Sequence, residues 1–370
     1  MKITQQLHEL GQSLWLDNIT RELLTSGTLA RYISELSVTG LTSNPTIFDH
    51  AMQKGDFYDE AIRQKTLAGK SGEVLFFELA LEDLIRAADL FRPIYDATGG
   101  VDGWVSLEVS PLLAEDTAAT ITAAVQLHAR AQRPNLFIKI PGTAAGIPAI
   151  EDVIFAGVPV NVTLLFSREH YIAAAEAYMR GIERRIAEGL DPVVGSVASL
   201  FISRWDVAVK DKVPDTLHNR LGIAIAMRTY EAYRDLLSSP RWQKLAASGA
   251  LQQRLLWAST STKDPAATDT LYVEALAAPD TVNTIPEKTL LAFAEHGNIK
   301  HVLSTDKANA VMAEAVIAEF TREGINDAAL AAELQLEGTA SFAKSWRDLM
   351  ACIASKSAAL THNHPGEKLP

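Results

Sequence analysis

The stretch "NLFIKIPG" (residues 135–142) is a short apolar run with one cation, Lys139, set between two isoleucines. Its length, its near-continuous apolar character and the Pro-Gly that follows it read as a strand buried on both faces, the kind found in parallel sheets. Seven other runs have the same character: "SLWLD" (13–17), "SVTGL" (37–41), "GWVSLEV" (103–109), "PVNVTLL" (159–165), "VVGSVASLF" (193–201), "RLLWAS" (254–259) and "TVNTI" (281–285). Longer segments such as "GEVLFFELALEDLIRAADLF" and "YIAAAEAYMRGIERRIAEG" separate them, with apolar residues recurring at three and four. Strands that alternate with amphipathic helices build a parallel sheet.

Eight such units predict an α/β fold closed into a (β/α)₈ TIM barrel; an open doubly wound sheet would show fewer strands and a glycine-rich first turn. Neither G-x-G-x-x-G nor G-x-x-x-x-G-K-[ST] occurs. The spacing is uneven. Residues 42–102 and 202–253 are long enough to hold extra helices that decorate the barrel. After residue 286 the pattern turns helical, and the chain closes on "THNHPGEKLP". The expectation is one barrel domain over 1–370, with helical insertions, a helical C-terminal extension over 287–355 and a polar tail over 361–370.

Composition narrows the classes of function. The chain has 370 residues, 48% hydrophobic and 21% charged, as an ordinary folded globule does. Its net charge of −11 argues against nucleic acid as a partner through bulk electrostatics. Cys352 is the only cysteine, so no intramolecular disulfide or cysteine-based metal cluster can form. The N-terminal "MKITQQLHEL" lacks the basic-then-apolar pattern of a signal peptide, and no apolar run is long enough to span a bilayer. A cytoplasmic protein without membrane partners is expected.

The polar residues carry the functional signal, because each of the first six strand-like runs contributes at least one at or just past its end. Asp17 closes the first run, Asn44 follows the second, Glu108 is late in the third and Lys139 late in the fourth. Asn161 and Thr163 belong to the fifth, Ser199 to the sixth, and Arg204 follows shortly. Late-strand residues of a barrel project into the mouth at the C-terminal strand ends, where barrel enzymes place their chemistry. A lysine there loses solvation of its charged form and gives up its proton more readily. The free amine can add to a ketone and form a Schiff base, which draws electrons from an adjacent carbon–carbon bond. The plainer reading is a structural ion pair with Glu108 or Asp17. It explains one carboxylate, whereas burying two carboxylates, two amides, two hydroxyls and a guanidinium together is costly without a polar ligand.

Ordered motifs along the barrel, "LWLDN", "GLTSNPTIF", "VSLEV", "FIKIPGT", "NVTLLFS", "SLFISRWD" and "WASTSTKDP", resemble those of the transaldolases in their longer bacterial form. The resemblance implies a Schiff-base enzyme of the pentose phosphate pathway. It would transfer dihydroxyacetone from sedoheptulose 7-phosphate to glyceraldehyde 3-phosphate, giving erythrose 4-phosphate and fructose 6-phosphate, with no cofactor. Carried over by motif, Lys139 is the Schiff-base residue, Glu108 moves protons through a water held by Thr163, and Asp17 serves the C4 hydroxyl. Asn44, Asn161 and Ser199 hold the dihydroxyacetone portion. Arg204 grips the phosphate with help from Ser259 and Lys263, the latter where shorter relatives place an arginine. Phe201 stands where aldolases that release free dihydroxyacetone carry tyrosine, which favours transfer. The resemblance also allows association with other sugar-phosphate enzymes.

Other readings are weaker. A metal would draw on His362 and His364, which sit in the polar tail, whereas metal barrels carry such a pair on an early strand. Asp17 and Glu108 resemble a glycosidase pair, but a buried lysine and a basic end fit that poorly. The fructose 6-phosphate aldolase-like enzyme and the barrel that binds sugar phosphates without turnover are the alternatives. Cys352 at apolar spacing, and Trp15, Trp104 and Trp257 in the strand-like runs, read as packing residues, the tryptophans between barrel and helices.

Overall fold

The computed structural model describes residues 1–304 and 307–362, the last without its side chain; residues 363–370 of the expected tail, His364 included, lie outside it. Eight strands follow one another in order: β1 Gln12–Asp17, β2 Val38–Thr42, β3 Trp104–Glu108, β4 Leu136–Pro141, β5 Val160–Leu165, β6 Ser196–Phe201, β7 Gln253–Ala258 and β8 Thr281–Ile285. Each pairs in parallel with the next, and β8 pairs with β1 to close the barrel. The (β/α)₈ barrel read from the eight runs is therefore the fold, with helices between the strands and a helical C-terminal segment.

Strand starts differ from the sequence reading where the backbone turns. Ser37 has φ 54° and ends the preceding helix in the left-handed conformation, so β2 starts at Val38. Residues 193–195 are not strand, because Val194 N–H turns back to Pro192 O, and β6 starts at Ser196. The long gaps hold the expected extra helices, Pro45–Gln53, Asp59–Leu67 and Gly72–Ala97 after β2, and Ser203–Val209, Leu221–Ser238 and Pro240–Ala247 before β7.

Alternation along the strands decides what fills the barrel. Asp17 faces the cavity at the mouth, so Trp15, two residues earlier, points inward too. Its ring lies 6.1 Å from that of Phe137 across the barrel, and Trp104 stacks on Phe137 with centroids 3.9 Å apart. Gly40 on β2 is glycine for this reason: a Cβ there would stand 2.6 Å from the Trp15 indole. The expectation that all three tryptophans pack between barrel and helices holds only for Trp257, which meets Tyr230 and bonds Leu276 O; Trp15 and Trp104 are barrel interior. Below them Arg254 donates to Ser13 Oγ at 2.8 Å and Thr281 O at 2.7 Å, tying three strands at the N-terminal end.

The helices Glu287–His296, Ala308–Arg322 and Asp327–His362 follow β8. The last has 36 residues, roughly 54 Å at 1.5 Å per residue, enough to cross the barrel. It runs over the C-terminal strand ends. Gln335 Nε2 donates to Gly142 O at 3.1 Å and Leu164 O at 2.9 Å, Ser345 Oγ accepts from Thr46 Oγ1 at 2.8 Å, and Trp346 Nε1 donates to Glu73 Oε1 at 2.9 Å. Leu164 offers its carbonyl because β5 is irregular there, with φ 59° at that residue.

Candidate active site

A cavity of about 240 Å³ opens at the mouth beneath this helix. Of the eleven residues singled out in the sequence, nine line it: Asp17, Asn44, Lys139, Thr163, Ser199, Phe201, Arg204, Ser259 and Lys263. Glu108 and Asn161 are buried beside it. A larger cavity of about 500 Å³ shares Ile47 and His50 with it, but its guanidinium, Arg21, is already paired with Asp83 at 2.9 Å and Glu82 at 2.6 Å. The smaller cavity holds the unspent chemistry.

Lys139 on β4 is 5% exposed. Its Nζ donates to Ser43 O at 2.9 Å and lies 3.2 Å from Glu108 Oε2 on β3, the two residues being direct register partners. Burial pushes the Glu108 carboxyl up from the usual carboxylate range, against the pull of Lys139. Glu108 Oε1 and Thr163 Oγ1 are both buried with no hydrogen-bond partner among the described residues. Polar atoms buried in this way are the usual sites of bound water.

Asp17 accepts from Thr42 Oγ1 at 2.7 Å, and Thr42 Oγ1 lies 2.6 Å from Thr284 Oγ1. Thr42 has one hydroxyl proton and gives it to Asp17, so Thr284 is the donor in the second bond. Burial raises the Asp17 carboxyl; Lys139, Thr42 and Lys263, in that order, pull it back. Both carboxyl groups are thus less acidic than free ones, and a cation stands near each.

Asn44 is held by the local sequence. It caps the helix Pro45–Gln53, its Oδ1 accepting from Ile47 N at 3.0 Å with proline at the first helical position. This use of the oxygen leaves the amide N–H groups for the cavity. Asn161, with no exposed surface, accepts from Ser199 Oγ at 2.7 Å and donates to Ser106 Oγ at 3.2 Å, so both ends of its amide are engaged, one by the adjacent β6 and the other by β3, two strands away.

The lining also carries basic groups. Arg204, in the helix after β6, makes no hydrogen bond or ion pair among the described residues, and burial lowers its pKa against the raising pull of Glu337. Its Cζ lies 5.2 Å from the Phe201 ring and 5.8 Å from that of Phe342. Ser259 adopts φ 56° just past β7 and shares a hydrogen bond of 2.9 Å with Ser203 Oγ. A left-handed serine at a cavity wall is backbone strain held in place by its surroundings. Lys263 is exposed and donates to Ser261 Oγ at 2.6 Å. Among the described residues no three His, Cys, Asp or Glu gather as a metal site.

Sequence reasoning missed Thr42, Ser43, Thr284 and Phe342. The two threonines and Ser43 lie at strand ends, where the late-strand signal that found Asp17 applied to them as well. Phe342 gave no signal, since an apolar residue at helical spacing reads as core.

Comparison with known proteins defines the class. Residues 14–353 match the family model described as Transaldolase/Fructose-6-phosphate aldolase, and the chain belongs to that family. It is 44% identical over 360 residues to the protein named Transaldolase of Parafrankia sp., covering 95% of this chain and 97% of that one. It is 43% identical over 359 residues to Transaldolase 1 of Streptomyces avermitilis, covering 95% and 94%, and 41% identical over 377 residues to Transaldolase 2 of Nostoc punctiforme, covering 96% and 98%.

Proposed function

We propose that the chain is a transaldolase, which moves a dihydroxyacetone unit from sedoheptulose 7-phosphate to glyceraldehyde 3-phosphate and so forms erythrose 4-phosphate and fructose 6-phosphate. The observation that carries the reading is Lys139 Nζ, buried at 3.2 Å from Glu108 in a cavity that also holds Asp17 and an unpaired guanidinium. Sugar phosphates, with a ketone, hydroxyls and a dianion in one small molecule, match that set of groups.

The chemistry follows from the positions. Glu108 takes the proton of the Lys139 ammonium, and the free amine adds to the ketone at C2. The carbinolamine loses its oxygen as water, with a proton returned from Glu108 through a water held at Thr163, and an iminium remains. Asp17 takes the C4 hydroxyl proton, the C3–C4 bond breaks, and its electron pair moves to C3 to leave an enamine on Lys139. The aldose phosphate departs. The enamine attacks the carbonyl carbon of the acceptor aldehyde while Asp17 returns the proton, and hydrolysis frees the lysine. Asn44 and Ser199 hold the dihydroxyacetone hydroxyls, with Asn161 fixing Ser199. Arg204 meets the phosphate through its planar donor fork, with Ser259 and Lys263 beside it.

Phe201 favours transfer over release to water. It packs against Phe166 and Phe342 and supplies no hydroxyl to orient a water at the enamine. The barrel and the helices after β8 are read as one functional domain, since Phe342 from the last helix lines the cavity. No described helix is long and apolar enough to cross a membrane. The single cysteine and the phosphorylated substrates fit a reducing cytoplasm. The test is to supply fructose 6-phosphate and erythrose 4-phosphate and measure sedoheptulose 7-phosphate and free dihydroxyacetone. Sedoheptulose 7-phosphate as the main product supports the reading. Free dihydroxyacetone as the main product marks an aldolase, and neither product marks a binding protein.

A further inference from the structure

A glycine stands in the middle of the longest helix of the chain, at the point where that helix crosses the barrel mouth. Gly338 is buried, although glycine is among the poorest residues for a helix interior. Its neighbours account for it. A Cβ at this position would lie 3.0 Å from Leu164 Cδ2 and 3.1 Å from Arg204 Nη1, so any side chain here would press directly on the guanidinium. One turn further on, Phe342 is 6% exposed and lines the cavity, with its ring 5.8 Å from Arg204 Cζ on one side while Phe201 lies 5.2 Å away on another. The two rings are 6.5 Å apart at 61°. Residues four apart share a helix face, so Gly338 and Phe342 act on Arg204 as a unit.

The remaining contacts fix this helix face at the mouth. One turn before Gly338, Gln335 Nε2 donates to the carbonyls of Gly142 and Leu164, which terminate β4 and interrupt β5. Arg204 makes no hydrogen bond or ion pair among the described residues; the Glu337 carboxylate, next to Gly338 on the same helix, acts on it only from beyond ion-pair distance. The close contacts of Arg204 are the two aromatic faces and the space left by the absent side chain of residue 338, with the longer-range pull of Glu337 coming from the same helix. Cation–π contacts suit this task because they hold a guanidinium without using its N–H groups, which stay free for an anion.

We infer that the C-terminal helix is part of the phosphate-binding site: Gly338 and Phe342 are positioning residues that aim the Arg204 guanidinium at the phosphate of the substrate. This rests on the reading of Arg204 as a phosphate ligand. It gives the C-terminal extension a function beyond covering the barrel, since a helix from the far end of the chain sets the selectivity for phosphorylated over plain sugars.

The test compares Gly338→Ala, Phe342→Leu and Arg204→Ala for kcat/KM with fructose 6-phosphate and with fructose, at a fixed concentration of erythrose 4-phosphate. The readout is the ratio of the two values, and melting temperature is recorded for each variant. Alanine favours the helix over glycine, while its Cβ asks Leu164 and Arg204 to yield by a few tenths of an ångström; the melting temperature reads the balance for Gly338→Ala, and Phe342→Leu tests the same helix face without that crowding. The expected result is a ratio lowered about tenfold by each helix variant, mainly through KM for fructose 6-phosphate, and lowered further by Arg204→Ala. If Arg204→Ala lowers the ratio while both helix variants leave it unchanged, or cut both substrates equally, Gly338 and Phe342 serve only packing and the inference is overturned. If Arg204→Ala itself leaves the ratio unchanged, Arg204 is no phosphate ligand, and the reading beneath the inference fails as well.

Discussion

Glu108 Oε2 stands 3.2 Å from Lys139 Nζ, on adjacent strands and in direct register, and both side chains are almost wholly buried. Such a pair costs desolvation that its attraction only partly returns, so it is a poor device for stability. It is a good one for moving a proton, because burial raises the Glu108 carboxyl and makes it a readier proton acceptor beside the amine.

Glu108→Gln keeps the shape and removes the proton acceptor. We expect kcat to fall by about 10²–10⁴, the usual contribution of a positioned acid/base, with imine formation as the slow step. Rapid-quench borohydride trapping measures that step, and imine formation at the parent rate would remove Glu108 from it.

Asp17 must be ionised to take the C4 proton. Burial raises its pKa, so the acid limb of kcat/KM should lie above the range of a free carboxylate, with activity lost as pH falls through it. Thr42 opposes that rise by donating to Oδ1. Thr42→Val should therefore move the acid limb to higher pH. A pH–rate profile checks this, and an unmoved or lowered limb would contradict the assignment.

Lys263→Ala should raise KM for fructose 6-phosphate severalfold and leave kcat nearly unchanged, as expected when binding shared by ground and transition states is lost. The effect should shrink with added salt, because Lys263 is exposed. Steady-state kinetics at two ionic strengths measure it; a KM equal to the parent value would take Lys263 out of the phosphate site.

Stability should carry a mark of Asp206. Its carboxylate accepts from Leu221 N and Gly222 N and from Tyr272 Oη, and burial pushes it from 3.8 up to about 6. The folded state thus holds this proton more tightly than the unfolded chain. The contribution to stability is complete below pH 3.8 and is lost as pH rises through about 6, roughly 3 kcal/mol in all. Denaturant titrations from pH 4 to 7 on the parent and on Asp206→Asn should differ by this slope, and parallel profiles would refute it.

The barrel was legible because strands buried on both faces read as short apolar runs, and helices between them keep a period near 3.6. The same logic brought most of the candidate site into view, since a charged or amide side chain late in an apolar run is conspicuous. Trp15 was misplaced although the signal was available: period-two alternation from Asp17 puts it inside. Phe342 and Gly338 were out of reach. Their meaning depends on where a helix at the end of the chain lies across the mouth, and that placement rests on long-range contacts such as Gln335 to Leu164 O, which have no counterpart in local pattern. The engagement of both ends of the Asn161 amide by Ser199 and Ser106 was equally invisible.

The central claim is a covalent intermediate on Lys139. Incubation with fructose 6-phosphate, reduction by borohydride and peptide mass mapping test it most directly. The account predicts a reduced dihydroxyacetone adduct on the peptide that contains Lys139, and none in Lys139→Ala. A folded protein that binds the sugar yet yields no adduct, or an adduct on another lysine, would contradict it.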